Sequence, residues 1–166
     1  MNNIRRMQQR AAGFGLALRP HFKTHQSALV GGWFRETGHD RIAVSSVGMA
    51  QYFADAGWND IMIAFPVHPG EASLLNKLAR KLNLGICLSS PAFVTPVISG
   101  IEASVEAYLK VDVGSQRTGF DASKPGIVIE AVQKIHKNPL IRFRGFIAHA
   151  GHTYHRRNAG EINQIH

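Results

Sequence analysis

The sequence predicts an α/β fold in which about six parallel strands form a sheet covered by helices. Two observations support this prediction. The strand candidates are short and continuously apolar, which is typical of strands buried on both faces. Helical segments lie between them, and connections of roughly 15 to 25 residues are long enough for a crossover helix. A doubly wound open sheet and a (β/α)8 barrel both satisfy this pattern.

The individual elements follow from periodicity and from the residues that begin and end them. Helices are predicted where apolar residues share one face and where a serine cap, an early proline or a final glycine marks a boundary. The predicted helices are residues 2–13, 27–37, 47–56, 71–82, 124–136 and a last one from about 158. The predicted strands are residues 16–23, 41–46, 60–65, 84–89, 107–113 and 141–149. Residues 90–105 stay ambiguous because Pro91 and Pro96 interrupt a weak helical pattern.

The first predicted strand carries an unusual number of cationic side chains. With the two-residue period of a strand, Arg19, His21, Lys23 and His25 fall on one face. If the strand is central, that face is costly to bury unless a ligand or a reaction supplies counter-charge. The alternative is an edge strand whose basic face lies in water. Pro20 is awkward in a central strand because it cannot donate a ladder hydrogen bond.

Composition narrows the class of protein. The chain has 166 residues, enough for one domain, and 45% of them are hydrophobic. Lys and Arg number 19 against 11 Asp and Glu, but these basic residues are scattered, so we predict no nucleic-acid partner. The lone Cys87 excludes an internal disulfide and indicates a cytoplasmic protein. No run approaches the roughly 18 apolar residues of a membrane helix, and the first ten residues lack the apolar core of a signal peptide.

Residues 19–25 read Arg-Pro-His-Phe-Lys-Thr-His. This sequence resembles the lysine motif of the D-threonine aldolase and D-serine dehydratase family. Members of that family have an alanine racemase-like N-terminal domain and the type III fold of pyridoxal-phosphate enzymes. The resemblance implies an incomplete (β/α)8 TIM-type barrel rather than a doubly wound sheet. It also implies that Lys23 carries pyridoxal phosphate as a Schiff base, with His21 beside the cofactor. Gln26 departs from the family, where a lysine is common, but it lies outside the core of the motif.

The residues around Lys23 suit such a role. A lysine that attacks an aldehyde must be neutral, and both burial and neighbouring cations favour the neutral amine. Arg19, His21 and His25 are the cations that the strand would place beside it. The alternative is a lysine that reaches from the strand end into solvent.

A second motif follows the predicted strand 107–113, where Asp-Val-Gly-Ser-Gln-Arg-Thr-Gly occupies residues 112–119 and follows Lys110. It resembles the second signature of the same family, and the resemblance places Arg117 near the cofactor and the substrate carboxylate. A guanidinium suits this role because it holds a carboxylate in bidentate fashion and keeps its charge. The alternative is a loop arginine that pairs with Asp112 or Asp121.

A third motif, Gly-His-Thr-Tyr at residues 151–154, resembles the Gly-His-Ser-Tyr segment of that family. The resemblance places His152 and Tyr154 beside the cofactor. His149, His152 and His155 could instead be metal ligands, although their spacing is not a known zinc pattern. In the family the divalent metal is held by a His and a Cys of the C-terminal part, so we predict no metal site in this chain.

The resemblance therefore implies a pyridoxal-phosphate-dependent lyase that acts on D-β-hydroxy amino acids, as a D-threonine aldolase or a D-serine dehydratase does. The resemblance covers only the N-terminal part of the members of this family. Residues 1–166 are thus expected to be a partial alanine racemase-like N-terminal barrel domain, without the last strands, the phosphate cradle and the C-terminal β domain. We expect weak cofactor binding and little activity from this chain alone, and a homodimer for the full-length enzyme. The alternatives are a racemase, a barrel that only carries the cofactor, and a fragment without function.

Overall fold

The computed structural model describes residues 2–164 and is built around one six-stranded sheet. Within these residues, every pairing between neighbouring strands is parallel. The strands are β1 (Arg41–Val44), β2 (Asp60–Pro66), β3 (Asn83–Leu88), β4 (Val105–Asp112), β5 (Phe120–Asp121) and β6 (Ile141–Ala148). Strands β1 to β4 neighbour one another in chain order, and β6 lies beside β4. The short β5 pairs with the last two residues of β4.

Helices connect the strands as predicted. They are α1 (Asn2–Gly13), α2 (Ala28–Glu36), α3 (Val47–Asp55), α4 (Ala72–Ala79), α5 (Pro91–Ser99), α6 (Pro125–His136) and α7 (Ala159–Asn163). Ser27 and Ser46 cap α2 and α3, because each hydroxyl accepts a backbone N–H in the first turn. The ambiguous segment is a helix that begins on Pro91 and carries Pro96 within it. The predicted continuation of α7 beyond residue 164 lies outside the described residues.

The strand order distinguishes the two predicted architectures. In a doubly wound sheet the order of the strands reverses at a switch point. In a barrel each new strand is added beside the preceding one, always in the same direction around the sheet. Here the order β1, β2, β3, β4, β6 follows the chain without a reversal. A parallel bridge between His21 and Ala43 adds the start of the chain beside β1. Within residues 2–164, β6 pairs only with β4, so this edge of the sheet is open. The prediction of an incomplete barrel is confirmed.

The prediction of a strand over residues 16–23 is wrong. Only His21 bridges β1, and Phe22–Thr24 form a single 3-10 turn. Pro20 accepts a hydrogen bond from Ala43 N at 2.9 Å but cannot donate one. The backbone N–H of Lys23 goes to the His21 imidazole instead of a neighbouring strand. The alternating face predicted for this segment therefore does not form.

The core fixes this turn in place through Phe22. Its side chain is 0% exposed and its ring packs against four other aromatic rings, one of which is the imidazole of His25. The centroid distances are 5.0 Å to Phe53, 5.1 Å to Phe34 and 5.2 Å to Trp58. The residue before Lys23 is therefore buried between α2 and α3. None of the helices in the described part of the chain is both long enough and apolar enough to cross a bilayer.

Candidate active site

A cavity of about 160 Å³ opens at the carboxyl ends of β2, β4 and β6, beside the 3-10 turn. Active sites of parallel β/α folds occur at this end of the strands. The side chains that line the cavity are mostly basic: His21, Lys23, Lys110, Arg117 and His149, together with the ring of Phe65. No carboxylate lines it among the residues described. The site therefore suits a ligand that carries negative charge.

The 3-10 turn presents Lys23 at the rim of the cavity. The His21 imidazole accepts the backbone N–H of Lys23 through Nδ1 at 3.2 Å, which leaves the ring proton on Nε2. That Nε2 atom is buried and has no hydrogen-bond partner in the part of the chain that the structure describes. Lys23 is exposed rather than buried, so the burial predicted around this side chain is not found in the described part of the chain.

Two of the three cations predicted beside Lys23 lie elsewhere. Arg19 Nη1 is 2.7 Å from Asp60 Oδ1 and donates to the carbonyl of Ile42 at 3.0 Å. Asp60 is the first residue of β2, so this ion pair belongs to the opposite end of the sheet. The His25 ring packs against Phe22, with 4.5 Å between centroids. Of these three residues, only His21 lines the same cavity as Lys23. The predicted cluster of cations depended on the two-residue period of a strand, and a turn replaces that strand.

Arg117 reaches the same cavity from the loop after β4. Its Cζ lies 5.2 Å from the centroid of Phe65, and Lys110 Nζ lies 5.7 Å from the same ring. The predicted alternative, a pairing of Arg117 with Asp112 or Asp121, is not found among residues 2–164. Asp112 instead accepts backbone N–H groups of its own loop, at 2.9 Å and 3.1 Å. Arg117 thus keeps its guanidinium available to a ligand.

The sequence grouped Lys110 with Asp112 and Arg117 at the end of this strand but gave Lys110 no specific role, and it did not point to Phe65. Lys110 is only 7% exposed, yet it has no acidic partner among the described residues. Phe65 lies in a continuously apolar strand, and nothing in the sequence separates it from the core residues around it.

The third motif forms a second cavity of about 340 Å³ that shares Arg117 and His149 with the first. His152 and Tyr154 line this second cavity and do not line the one that contains Lys23. Tyr154 is 76% exposed, and its ring lies 5.8 Å from that of His149. His152 Nδ1 is buried without a partner in residues 2–164. The structure thus places both residues in the adjoining cavity, which meets the Lys23 cavity at Arg117 and His149.

The alternative in which three histidines bind a metal receives no support from the structure. Among the described residues, no group of three or more His, Cys, Asp and Glu side chains is arranged to hold a metal ion. The third motif follows the end of β6 as a short 3-10 segment, Gly151–His155, which contains His152 and His155.

The basic surroundings affect both histidines of the Lys23 cavity. Burial lowers the pKa of His21, and the nearby charges of Lys23 and His149 lower it further. Burial also lowers the pKa of His149, with contributions from Lys23, Lys110 and Arg117. Both imidazoles are therefore neutral near pH 7 and can donate or accept hydrogen bonds.

These lowered pKa values predict a loss of stability in mild acid. The unfolded chain binds protons at a histidine pKa of about 6.5, above the folded values, so stability falls as the pH drops from about 6.5 through those values. We expect H21Q/H149Q to lose less stability than the unmodified chain between about pH 7 and pH 5. Urea unfolding at several pH values measures this, with H155Q, at an exposed position, as the control. An unchanged pH dependence in the double variant would contradict the assignment.

The fold and the site together define a class of protein. It is a parallel β/α barrel-type domain with a lysine and an arginine in one basic cavity at its strand ends. The chain belongs to the family described as alanine racemase, N-terminal domain, which matches residues 1–165.

Several relatives confirm the predicted resemblance. The chain is 31% identical over 156 residues to D-threo-3-hydroxyaspartate dehydratase of Delftia sp. (strain HT23), covering 92% of this chain and 41% of that protein. It is 30% identical over 167 residues to D-threonine aldolase of Arthrobacter sp, covering 98% of this chain and 44% of that protein. It is also 26% identical to D-serine dehydratase of Dictyostelium discoideum, covering 99% and 45%. The chain thus spans less than half the length of these relatives.

Solved structures agree with the fold. The structure of the Delftia dehydratase superposes with a TM-score of 0.90 at 28% identity, covering 99% of this chain and 44% of that one. The D-threonine aldolase from Filomicrobium marinum gives a TM-score of 0.89 at 20% identity, covering 99% and 45%, and supports the fold alone.

Proposed function

We propose that this chain is the N-terminal, lysine-bearing part of a pyridoxal-phosphate-dependent lyase that acts on D-β-hydroxy amino acids. One observation carries the proposal. Lys23 and Arg117 come from distant parts of the sequence and line the same basic cavity, at the end of the sheet where β/α enzymes act. The names of the dehydratases and the aldolase among the relatives supply the substrate class.

The donor set of the cavity fits pyridoxal phosphate, the cofactor of fold type III enzymes in this family. In the proposal the amine of Lys23 would hold the cofactor through its aldehyde group. The buried, unpartnered atoms His21 Nε2 and His152 Nδ1 are available to polar groups of a bound ring, and Tyr154 borders the second cavity. When bound, the cofactor would supply an electron sink for reaction at the substrate α-carbon.

The remaining residues bind and orient the substrate in this proposal. The Arg117 guanidinium holds its carboxylate through paired hydrogen bonds. Lys110 adds a second cation to the cavity that Arg117 lines, because its Nζ also lies over the ring of Phe65 and its side chain is largely shielded from water. His149 lies between the two cavities and can hold or pass a proton at neutral pH.

We further propose that the rest of a full-length protein completes this domain. The last barrel strands would pair with the open edge of β6, and a C-terminal β domain would supply the divalent metal site. The phosphate cradle would lie in those strands, and the complete enzyme would be a cytoplasmic homodimer. Aldolase and dehydratase activity differ in their products: D-threonine would give glycine and an aldehyde, whereas D-serine would give a keto acid and ammonia.

The arginine tests this proposal in the chain as it stands. We expect R117K to weaken the capture of pyridoxal phosphate, or the competition of a D-amino acid for the bound cofactor, about tenfold. The reason is that an ammonium cannot form the paired hydrogen bonds of a guanidinium. Titrations followed by cofactor absorbance measure this. R80K is the matched control, since Arg80 forms an exposed pair with Glu102 at 3.2 Å on the surface. Equal behaviour of R117K, R80K and the unmodified chain would contradict the role of Arg117.

A further inference from the structure

The turn that carries Lys23 is flanked by two aromatic rings, one before the lysine and one after it. Phe22 precedes Lys23 and is fully buried, while His25 follows two residues later and packs on Phe22 at 4.5 Å. The backbone N–H groups of His25 and Gln26 both donate to the carbonyl of Phe22, the latter at 3.1 Å. Lys23 therefore projects from a closed loop whose ends are fixed and whose middle is exposed.

His25 links this loop to the start of α2. Its Nδ1 accepts the backbone N–H of Ser27 at 3.1 Å, and the Ser27 hydroxyl in turn accepts the N–H of Val30 at 3.3 Å. Gln26, between them, has a φ of 45°, a left-handed conformation that is uncommon for a residue other than glycine. The hydrogen bond to His25 spans this unfavourable residue and so helps to hold it.

The surroundings of His25 keep its imidazole in one chemical form. The ring stacks on Phe34 at 6.0 Å and meets Phe53 edge-on at 6.3 Å. Because Nδ1 accepts a hydrogen bond, the ring proton must be on Nε2. Nε2 is buried and has no partner within the described range of the chain. An aromatic pocket of this kind favours the neutral ring, which is the form that can accept the Ser27 N–H.

We infer that His25 is a positioning residue for Lys23, and that it acts through its Nδ1 acceptor rather than through contact with a ligand. The inference rests on the proposed role of Lys23. Loss of the acceptor would free the Ser27 N–H and relax the left-handed Gln26, so that the loop and the lysine amine move relative to Arg117. The His25 ring does not line the cavity that contains Lys23 and Arg117.

The chain offers a matched control for this hydrogen bond. His68 Nδ1 accepts the N–H of Gly70 at 3.1 Å, the same pairing with a backbone two residues ahead. His68 begins a separate 3-10 turn, Pro69–Glu71, and lines neither cavity around Arg117. H68F therefore removes the same kind of bond away from Lys23.

Two substitutions separate the acceptor from the ring. H25F keeps an aromatic ring in the pocket and removes the acceptor, whereas H25N removes the ring and keeps an oxygen that can accept the Ser27 N–H. The readout is the fraction of Lys23 captured by pyridoxal phosphate and fixed by borohydride, measured by mass spectrometry relative to the exposed Lys77. We expect H25F to lower this ratio about tenfold to a hundredfold, and H25N and H68F to stay within about twofold of the unmodified chain.

Amide hydrogen exchange at Ser27 makes the inference independent of the enzyme proposal. We expect Ser27 N–H to be protected in the unmodified chain and in H25N, and to exchange rapidly in H25F. If Lys23 is not captured in the unmodified chain but this exchange pattern holds, the lyase proposal fails and His25 still anchors the turn. Protection of Ser27 in H25F, or capture at Lys23 in folded H25F equal to that of the unmodified chain, would overturn the inference. So would an H25N variant as deficient as H25F.

Discussion

K23A is expected to abolish the specific covalent capture of pyridoxal phosphate by this chain. The amine at position 23 is the group that condenses with the aldehyde in our proposal, and it stands at the rim of the cavity that contains Arg117. We expect the absorbance of the bound cofactor to fall on the order of a hundredfold, because the other lysines lack this positioned site. The titration needs high cofactor concentrations, since the phosphate cradle is proposed to lie outside this chain.

The matched control for this experiment is K77A, which removes an exposed lysine from α4. It should leave the absorbance unchanged. K23R is a second useful variant because it keeps the positive charge and removes the nucleophilic amine. Absorbance in K23A equal to that in K77A would exclude Lys23 as the capturing residue.

F22A is expected to give the largest loss of stability among single changes near the site. Phe22 is fully buried and contacts Phe34, Phe53 and Trp58, so its removal leaves a cavity at the junction of α2 and α3. Changes of this kind lower the free energy of unfolding by about 3–5 kcal/mol. Urea unfolding followed by circular dichroism measures this difference.

F14A is the control for F22A, because Phe14 is 73% exposed and should change stability by about 0.5 kcal/mol or less. A cost for F22A as small as that for F14A would show that the Lys23 turn does not depend on the core. A folded F22A preparation should also capture less cofactor than the unmodified chain, since Phe22 fixes one side of the turn.

Most of the fold could be predicted from apolar segments and helix boundaries. The predicted strands 60–65 and 84–89 are apolar apart from Asp60 and Ser89 at their ends, and both form central strands close to the predicted bounds. The two-residue strand β5 is too short to show a period, so the sequence offered no signal for it. The predicted strand 16–23 failed because Pro20 and the side chain of His21 take the backbone out of the ladder.

Site residues that belong to a sequence motif could be predicted. Residues that reach the cavity only through the tertiary fold could not. The motifs placed Lys23 and Arg117, and the structure brings both into one cavity. The strand period wrongly added Arg19, whose partner Asp60 lies at the other end of β2. Phe65 gave no sign of its role, because its contacts with two cations arise only when β2 and β4 share a sheet.

In our proposal, the amine of Lys23 is the one that meets the cofactor aldehyde. The most direct measurement is to incubate the unmodified chain with pyridoxal phosphate, reduce it with borohydride and map the modified peptide by mass spectrometry. We predict that the cofactor is attached chiefly to Lys23. Attachment chiefly to Lys110, or spread evenly over exposed lysines such as Lys77 and Lys137, would contradict the account.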